Sequence, residues 1–207
     1  MKSYKVNEIF KSLQGEGMRC GTANVFLRLS GCNMKCEMQA GPRSPGGFDC
    51  DTEFESGRRI KLAELLDDVD AEWGEHSDHK AVILTGGEPA VQADKELVEA
   101  LQQRGYFVAI ETNGSIDVAQ LGLDWITVSP KVAEHAIRQM TADEVKYVRG
   151  HGQGIPKPKC KGIDKLISPA FNGLVIDQRA LAWCIDLCKD NPEWRLTAQL
   201  HKLWKAR

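Results

Sequence analysis

Cys32, Cys36 and Cys50 fall within GCNMKCEMQAGPRSPGGFDCDT, residues 31–52, a stretch otherwise short of apolar side chains. Thiolates bind zinc or iron–sulfur clusters. A closed structural zinc site takes four protein ligands, and here there are three, with no histidine between Met1 and Glu75. Three thiolates on a four-iron cluster would leave one iron open to an outside ligand, and that open position would be the working part. Three cysteines in one loop can also be incidental. Their position along the chain has to decide.

The loop follows a strand. ANVFLRLS (23–30) is an apolar, β-prone run that stops at Gly31. KLAELLDDVDAEW (61–73) carries apolar residues at helical spacing, and HKAVILTGG (79–87) is a compact strand ending in two glycines. DKELVEALQQRG (94–105) predicts a helix with a glycine stop, and YFVAIETNG (106–114) a strand ending in turn residues. ITVSPK (126–131), EVKYVR (144–149) and KLISPAF (165–171) read as further strands. DQRALAWCIDLCKDNP (177–192) reads as a last helix, WRLTAQLHK (194–202) as a last strand, and GHGQGIPKPKCKGID (150–164) as a loop. This alternation predicts an α/β fold, a parallel sheet covered by helices. TGGEP, ETNGS and SPK each follow an apolar strand directly. Ligands of such folds bind at the carboxyl ends of strands. One such stretch is a turn; three, with the cysteine loop, describe a single site.

The 207 residues suffice for one sizeable core or two small ones. A formal net charge of −2 supplies no basic field, so nucleic acid is not the expected partner. No stretch approaches the roughly 18–20 apolar residues of a membrane span, and the N-terminus has no apolar signal segment, so a cytoplasmic location is expected. Seven cysteines, an odd number in a chain of this length, argue against a secreted disulfide framework. Cys184 and Cys188 are four apart on one helical face with Leu181 and read as small buried hydrophobes. Cys20 and Cys160 stand alone without an assigned role.

Cys-x3-Cys followed by a further cysteine, with TGGEP (85–89) downstream, resembles the radical S-adenosylmethionine superfamily. NEIFKSLQGEG (7–17), VFLRLSGCN (25–33), CDT (50–52), TGGEP, ETNGS, VSPK and RLTAQLHK (195–202), in that order, resemble the 7-carboxy-7-deazaguanine synthase family over nearly the whole chain. The superfamily usually has two residues between its second and third cysteines; here there are thirteen. The resemblance therefore implies a single radical S-adenosylmethionine domain over 1–207, a partial (β/α) barrel of parallel strands with an insertion at about 37–49. The family often reads QTHK near its end, where this chain has Leu200 before His201.

The resemblance also implies cofactors. Cys32, Cys36 and Cys50 would hold a [4Fe–4S] cluster. S-adenosylmethionine would meet Asp49, Cys50, Asp51, Gly86, Gly87 and Glu88, then Ser129, Pro130 and Lys131, with Ser168, Pro169, Ala170 and Phe171 near its adenine. The bare backbone of Gly86 and Gly87 is expected to let the methionyl amine approach closely. Thr52 would offer its hydroxyl to Mg2+.

The implied substrate is 6-carboxy-5,6,7,8-tetrahydropterin, met by Leu13, Gln14, Gly15, Glu16, Arg28, Thr85, Asn113, His201 and Lys202. Arg28 lies in an apolar strand, where burial costs free energy unless the charge is paired, and its fork suits a carboxylate. The implied reaction is hydrogen abstraction at C6, ring contraction, return of the hydrogen and loss of ammonia, with S-adenosylmethionine regenerated. A flavodoxin or ferredoxin would donate the electron, and the chain would form a homodimer, with neither nucleic acid nor membrane as partner. Two other readings are an activating enzyme for a glycyl-radical partner and a non-catalytic zinc or electron-transfer module. The NEIFKSLQGEG and QLHK segments argue against the first, and a coloured iron–sulfur protein would exclude a zinc module.

Overall fold

The structure, a computed structural model, describes residues 2–34, 50 and 52–206. Cys36, Asp49, Asp51 and the expected insertion at about 37–49 lie outside the described residues. The chain begins with β1 (Ser3–Leu13), β2 (Ala23–Leu29), β3 (Arg58–Lys61), α1 (Leu62–Trp73), β4 (Ala81–Gly86) and α2 (Lys95–Gln103). Then come β5 (Phe107–Thr112), β6 (Trp125–Val128), β7 (Thr141–Arg149) and β8 (Lys161–Pro169). The small pair β9 (Phe171–Asn172) and β10 (Val175–Ile176), α3 (Gln178–Asp190), β11 (Trp194–Leu196) and α4 (Leu200–Trp204) follow.

Among the described residues the main sheet has the order β11-β8-β7-β6-β5-β4-β2-β1-β3. From β2 through β11 every pairing is parallel; β1 runs antiparallel to both β2 and β3. This is the expected partial (β/α) barrel.

Strand alternation sorts side chains onto two faces. Val25, Leu27, Leu29, Val82, Leu84, Val108 and Ile110 are fully buried and belong to one core with Leu65 and Val69 of α1 and Leu97, Val98 and Leu101 of α2. A second core gathers Val145 and Tyr147 of β7 and Ile167 of β8 with Cys184 of α3 and Trp194. Cys188 packs against it, and Cys160 is buried in it. Burial pushes the Cys160 and Cys184 thiols up to about 11, which keeps them protonated and inert.

The other face is layered by register. Phe10, Phe26, Ile83, Ala109 and Trp125 lie opposite one another across β1, β2, β4, β5 and β6. One step toward the carboxyl ends of the parallel strands, Glu8, Arg28 and Thr85 are in register. Glu111, Thr127 and Glu144 continue that level on β5, β6 and β7. An apolar layer thus lies beneath a polar one. Phe10 and Phe26 stack with centroids 5.2 Å apart.

Three elements differ from expectation. β1 does not read as a strand from its sequence, because a bulge between Val6 and Glu8 reverses its alternation. Tyr4 and Val6 therefore face the helix-side core, while Phe10 faces the inner layer. β8 begins at Lys161, inside the stretch expected to be loop up to 164. The last strand ends at Leu196 instead of continuing to 202. Thr197 N–H makes a final bond to Ile167 O at 2.9 Å, and β8 then reaches Pro169, which has no N–H to offer a neighbour. The chain turns, and Leu200 N–H donates to Gly15 O at 3.0 Å.

Asp94 fastens α2 to the sheet edge. Its carboxylate caps the helix by accepting from Leu97 N–H at 3.0 Å, and it accepts from Tyr4 Oη at 3.0 Å and pairs with Lys2 at 2.6 Å. Burial would raise its pKa, but Lys2, the Leu97 amide and Tyr4 together hold it below the ordinary 3.8. A carboxyl depressed by folding stabilises fully above its unfolded pKa and loses that contribution as pH falls through the folded one. Asp94→Ala is expected to cost about 1–2 kcal/mol at neutral pH. Urea unfolding should show the gap from the native protein narrowing on acidification.

Candidate active site

The inner face opens as a cleft of about 1190 Å³. Leu13, Gln14, Gly15, Glu16, Arg28, Thr85, His201 and Lys202 all line it, as does Thr52. Asn113 is turned elsewhere: its Nδ2 donates to Asn33 Oδ1 at 3.2 Å, and its Oδ1 accepts from Ser115 N–H at 2.8 Å. Asn33 follows Cys32, so the ETNGS turn braces the cysteine loop instead of lining the cleft.

Arg28 is paired within the chain. Its Nε donates to Glu8 Oε1 at 2.7 Å, and its guanidinium lies 5.9 Å from the Phe10 ring centroid. Glu8 therefore meets the burial argument raised for Arg28 in the sequence. The guanidinium still carries N–H groups beyond the one on Nε. Gln14 and Glu16 are engaged as well. Gln14 Nε2 donates to Glu111 Oε1 at 2.9 Å, and Glu16 Oε2 pairs with Lys146 Nζ at 2.6 Å. Gly15 has no side chain because a Cβ there would sit 2.5 Å from His201 Nδ1 and 2.6 Å from its backbone nitrogen. His201 lies on helix α4, not on a strand as expected, and α4 packs against Gly15 through that close approach and lines the cleft.

The cysteine segments are tied together by backbone. Gly31 N–H donates to Phe54 O at 2.7 Å, and Gly31 O accepts from Glu88 N–H at 3.0 Å. The chain before Cys32, the chain after Cys50 and the TGGEP turn therefore meet at one point. Met34 N–H donates to Cys32 Sγ at 3.4 Å, and Cys50 Sγ–H to Thr52 O at 3.5 Å. Gly86 and Gly87 have a reason within the chain itself. A Cβ on Gly86 would collide with Leu29 O, and one on Gly87 with Gly31 O and, at 2.8 Å, with Cys32 Cβ. The bare glycines make room for the cysteine loop itself.

Glu88, expected to reach the cofactor, spends its carboxylate inside the protein. It is buried and accepts from Ala90 N–H at 3.0 Å, Thr112 Oγ1 at 2.7 Å and Asn113 N–H at 2.7 Å. Burial raises its pKa despite those three bonds. Its work is to join the TGGEP turn to ETNGS. Ser129, Pro130 and Lys131 follow β6, where Lys131 Nζ donates to Ser129 Oγ at 3.3 Å. Pro169 closes β8, Ala170 is buried, and Lys202 Nζ stands 5.2 Å from the Phe171 ring centroid.

The residues present fit the two implied groups. Cys32 and Cys50 reach the same junction, with a backbone N–H already directed at one sulfur, as a thiolate ligand favours. Ser168 Oγ is buried without a hydrogen-bond partner among the described residues, and buried hydroxyls are rarely left so unless something else completes them.

Comparison with known proteins agrees with this geometry. Residues 13–116 match the model of a 4Fe-4S single cluster domain. The 7-carboxy-7-deazaguanine synthase of Bradyrhizobium diazoefficiens is 38% identical, over 97% of each chain. That of Bacteroides thetaiotaomicron is 39% identical over 98% of each. The chain belongs to the 7-carboxy-7-deazaguanine synthase family. QueE from Escherichia coli shares the fold, with a TM-score of 0.64 over 95% of this chain and 93% of that one at 24% identity. Among the described residues no helix is long and apolar enough to cross a membrane.

Sequence reasoning missed much of the cleft wall, Glu8, Phe10, Glu111 and Lys146 among it. For β5 and β7 the signal was present. Glu111, Glu144 and Lys146 are charged residues at alternate positions among buried apolar neighbours, the pattern of a strand with a polar inner face. For β1 the bulge concealed it.

Because Gly87 abuts the cysteine loop, Gly87→Ala should displace Cys32 while leaving the helix-side core intact. Iron content after anaerobic reconstitution is expected to fall well below native, with the thermal midpoint changed little. Native iron loading in that variant would show that the loop tolerates the extra carbon.

Proposed function

We propose that the cleft binds 6-carboxy-5,6,7,8-tetrahydropterin with its carboxylate at Arg28 and its ring edge toward Gln14, Gly15 and Glu16. The chain is an enzyme of the radical S-adenosylmethionine type, and its family forms 7-carboxy-7-deazaguanine with loss of ammonia. Its cofactors are a [4Fe–4S] cluster and S-adenosylmethionine. The observation that carries the substrate placement is the register of Arg28 with Thr85, both on the cleft wall, at the strand ends that run into the Cys32 loop and the TGGEP turn.

In this reading Cys32, Cys36 and Cys50 hold the cluster, and Ser129, Lys131 and Ser168 hold S-adenosylmethionine. When bound, these groups supply one-electron chemistry that removes and later returns a substrate hydrogen. The chain supplies the rest. Arg28, kept in place by Glu8, presents its remaining N–H groups to the substrate carboxylate. Phe10 and Phe26, stacked on each other, supply apolar surface to the same cleft. His201 and Lys202 on α4 add polar groups to the same wall.

Thr52 lines the same cleft, which supports a role in holding Mg2+ with the substrate carboxylate. One continuous sheet from β3 to β11 supports a single domain over 1–207, and the proposal includes the insertion in the cluster loop at about 37–49 that the cysteine spacing implies. A flavodoxin or ferredoxin as electron donor, a homodimer and a cytoplasmic location complete the proposal.

The deciding experiment is anaerobic turnover with the carboxytetrahydropterin, S-adenosylmethionine, reductant and magnesium; no ammonia or deazaguanine product would defeat the reading. Two variants test the assignments. Cys50→Ala should lose the cluster, seen as lost iron and visible absorbance, whereas Cys184→Ala should keep both. Arg28→Lys keeps the charge but loses the fork, and a charge-assisted bidentate bond is worth about 1.5–3 kcal/mol, roughly ten- to a hundredfold in affinity. Weaker pterin binding is expected, and unchanged binding in both Arg28→Lys and Arg28→Ala would make the arginine structural.

A further inference from the structure

Lys146 projects from the middle of β7 with its side chain 8% exposed, yet it lines the cleft. Its Nζ lies 2.6 Å from Glu16 Oε2 and 3.2 Å from Glu111 Oε2. The two carboxylates come from different segments, Glu16 from the turn after β1 and Glu111 from β5. Both line the cleft, with side chains 14% and 20% exposed. We propose that Lys146 is a positioning residue for substrate recognition: it holds Glu16 and Glu111 side by side as paired acceptors on the cleft wall. The ligand edge they suit is one that presents adjacent N–H groups, such as the 2-amino-4-oxopyrimidine edge of a pterin. The inference rests on the function proposed above.

Two observations favour this over a merely structural ion pair. A buried pair adds little stability over apolar side chains of similar volume, because desolvation offsets the attraction. All three members of the cluster also line the cleft instead of being sealed in the core. Without the cation, two neighbouring carboxylates in a poorly solvated wall would share a proton, and one acceptor would be lost.

The surrounding charges are few. Glu144, on the same face of β7, is occupied by Thr127 Oγ1 at 2.9 Å and Met18 N–H at 2.8 Å. Arg19 approaches from the β1–β2 turn, where Cys20 also lies, and His201 from α4. Burial alone would lower the pKa of Lys146, but Glu111 and Glu16 reverse that and raise it. Burial likewise pushes Glu16 upward, and Lys146 overcomes it to leave Glu16 below its ordinary value. Glu111 stays above its own: burial raises it and Lys146 only partly offsets that, while Glu16 and Glu144 add to the rise.

The test is the pH dependence of KM for the carboxytetrahydropterin in the reconstituted holoenzyme, with iron content and thermal midpoint recorded alongside. Removing the cation raises both carboxyl pKa values. In Lys146→Met, KM at neutral pH should therefore rise roughly ten- to a hundredfold, with kcat changing less. The loss should shrink as pH rises, moving the acid limb of the profile upward by about one unit or more. Lys146→Arg, which keeps the charge, should restore most of the affinity and the native profile. An unchanged KM in Lys146→Met, or an equal loss at every pH in both variants, would overturn the proposal. Should Lys146→Met fail to fold, Glu16→Gln takes its place. It should raise KM without recovery at alkaline pH, and a native KM there overturns the proposal equally. Absence of turnover in the native holoenzyme would instead defeat the underlying function.

Discussion

Polar side chains on the concave face of a mostly parallel sheet are largely withdrawn from solvent, and such groups need hydrogen-bond or ionic partners. Here Glu8, Arg28, Thr85, Glu111, Thr127 and Glu144 stand at one level of the sheet. Each charge in it finds a partner: Arg28 with Glu8, Glu111 with Gln14 and Lys146, Glu144 with Thr127 and the Met18 amide. Two of these partners, Gln14 and the Met18 amide, come from the turn after β1. That turn is therefore fixed by electrostatics and hydrogen bonding more than by apolar burial, and Gly15 within it becomes the seat for α4. The polar layer and the turn that lies against it thus hold one another in place.

The carboxyl ends of the strands obey a second requirement, close backbone approach. Gly86 and Gly87 admit the main chain around Leu29, Gly31 and Cys32 where any side chain would intrude. Glu88 then binds the end of β5 through Thr112 and Asn113, and Asn113 holds Asn33. Residues that resemblance assigns to a ligand are, in this structure, engaged in shaping the loop that carries the ligand's anchor. The two roles are compatible, since the held backbone at Gly31–Asn33 can serve as a fixed base for a ligand site.

The sequence was sufficient for the alternation of strands and helices, the parallel sheet, the outer core and the family. Those features follow from local pattern: apolar strands of four to nine residues, amphipathic α1 and α2, and motifs adjacent in the chain. The inner face of β2 was legible too, because strand alternation alone separates Phe26 and Arg28 from Leu27 and Leu29. Tertiary structure alone decided the rest. The partner of Arg28 is Glu8, which lies on an antiparallel neighbour whose bulge hides its register. His201 left the expected strand for a helix because the edge partner of β11 runs out of donors at Pro169 and Gly15 offers a carbonyl instead. Lys146 meets Glu16 and Glu111 only when β5, β7 and the first turn share one concave wall. Periodicity assigns a face to each strand, but which faces converge is set by sheet order and curvature, and these depend on contacts between residues far apart in the chain.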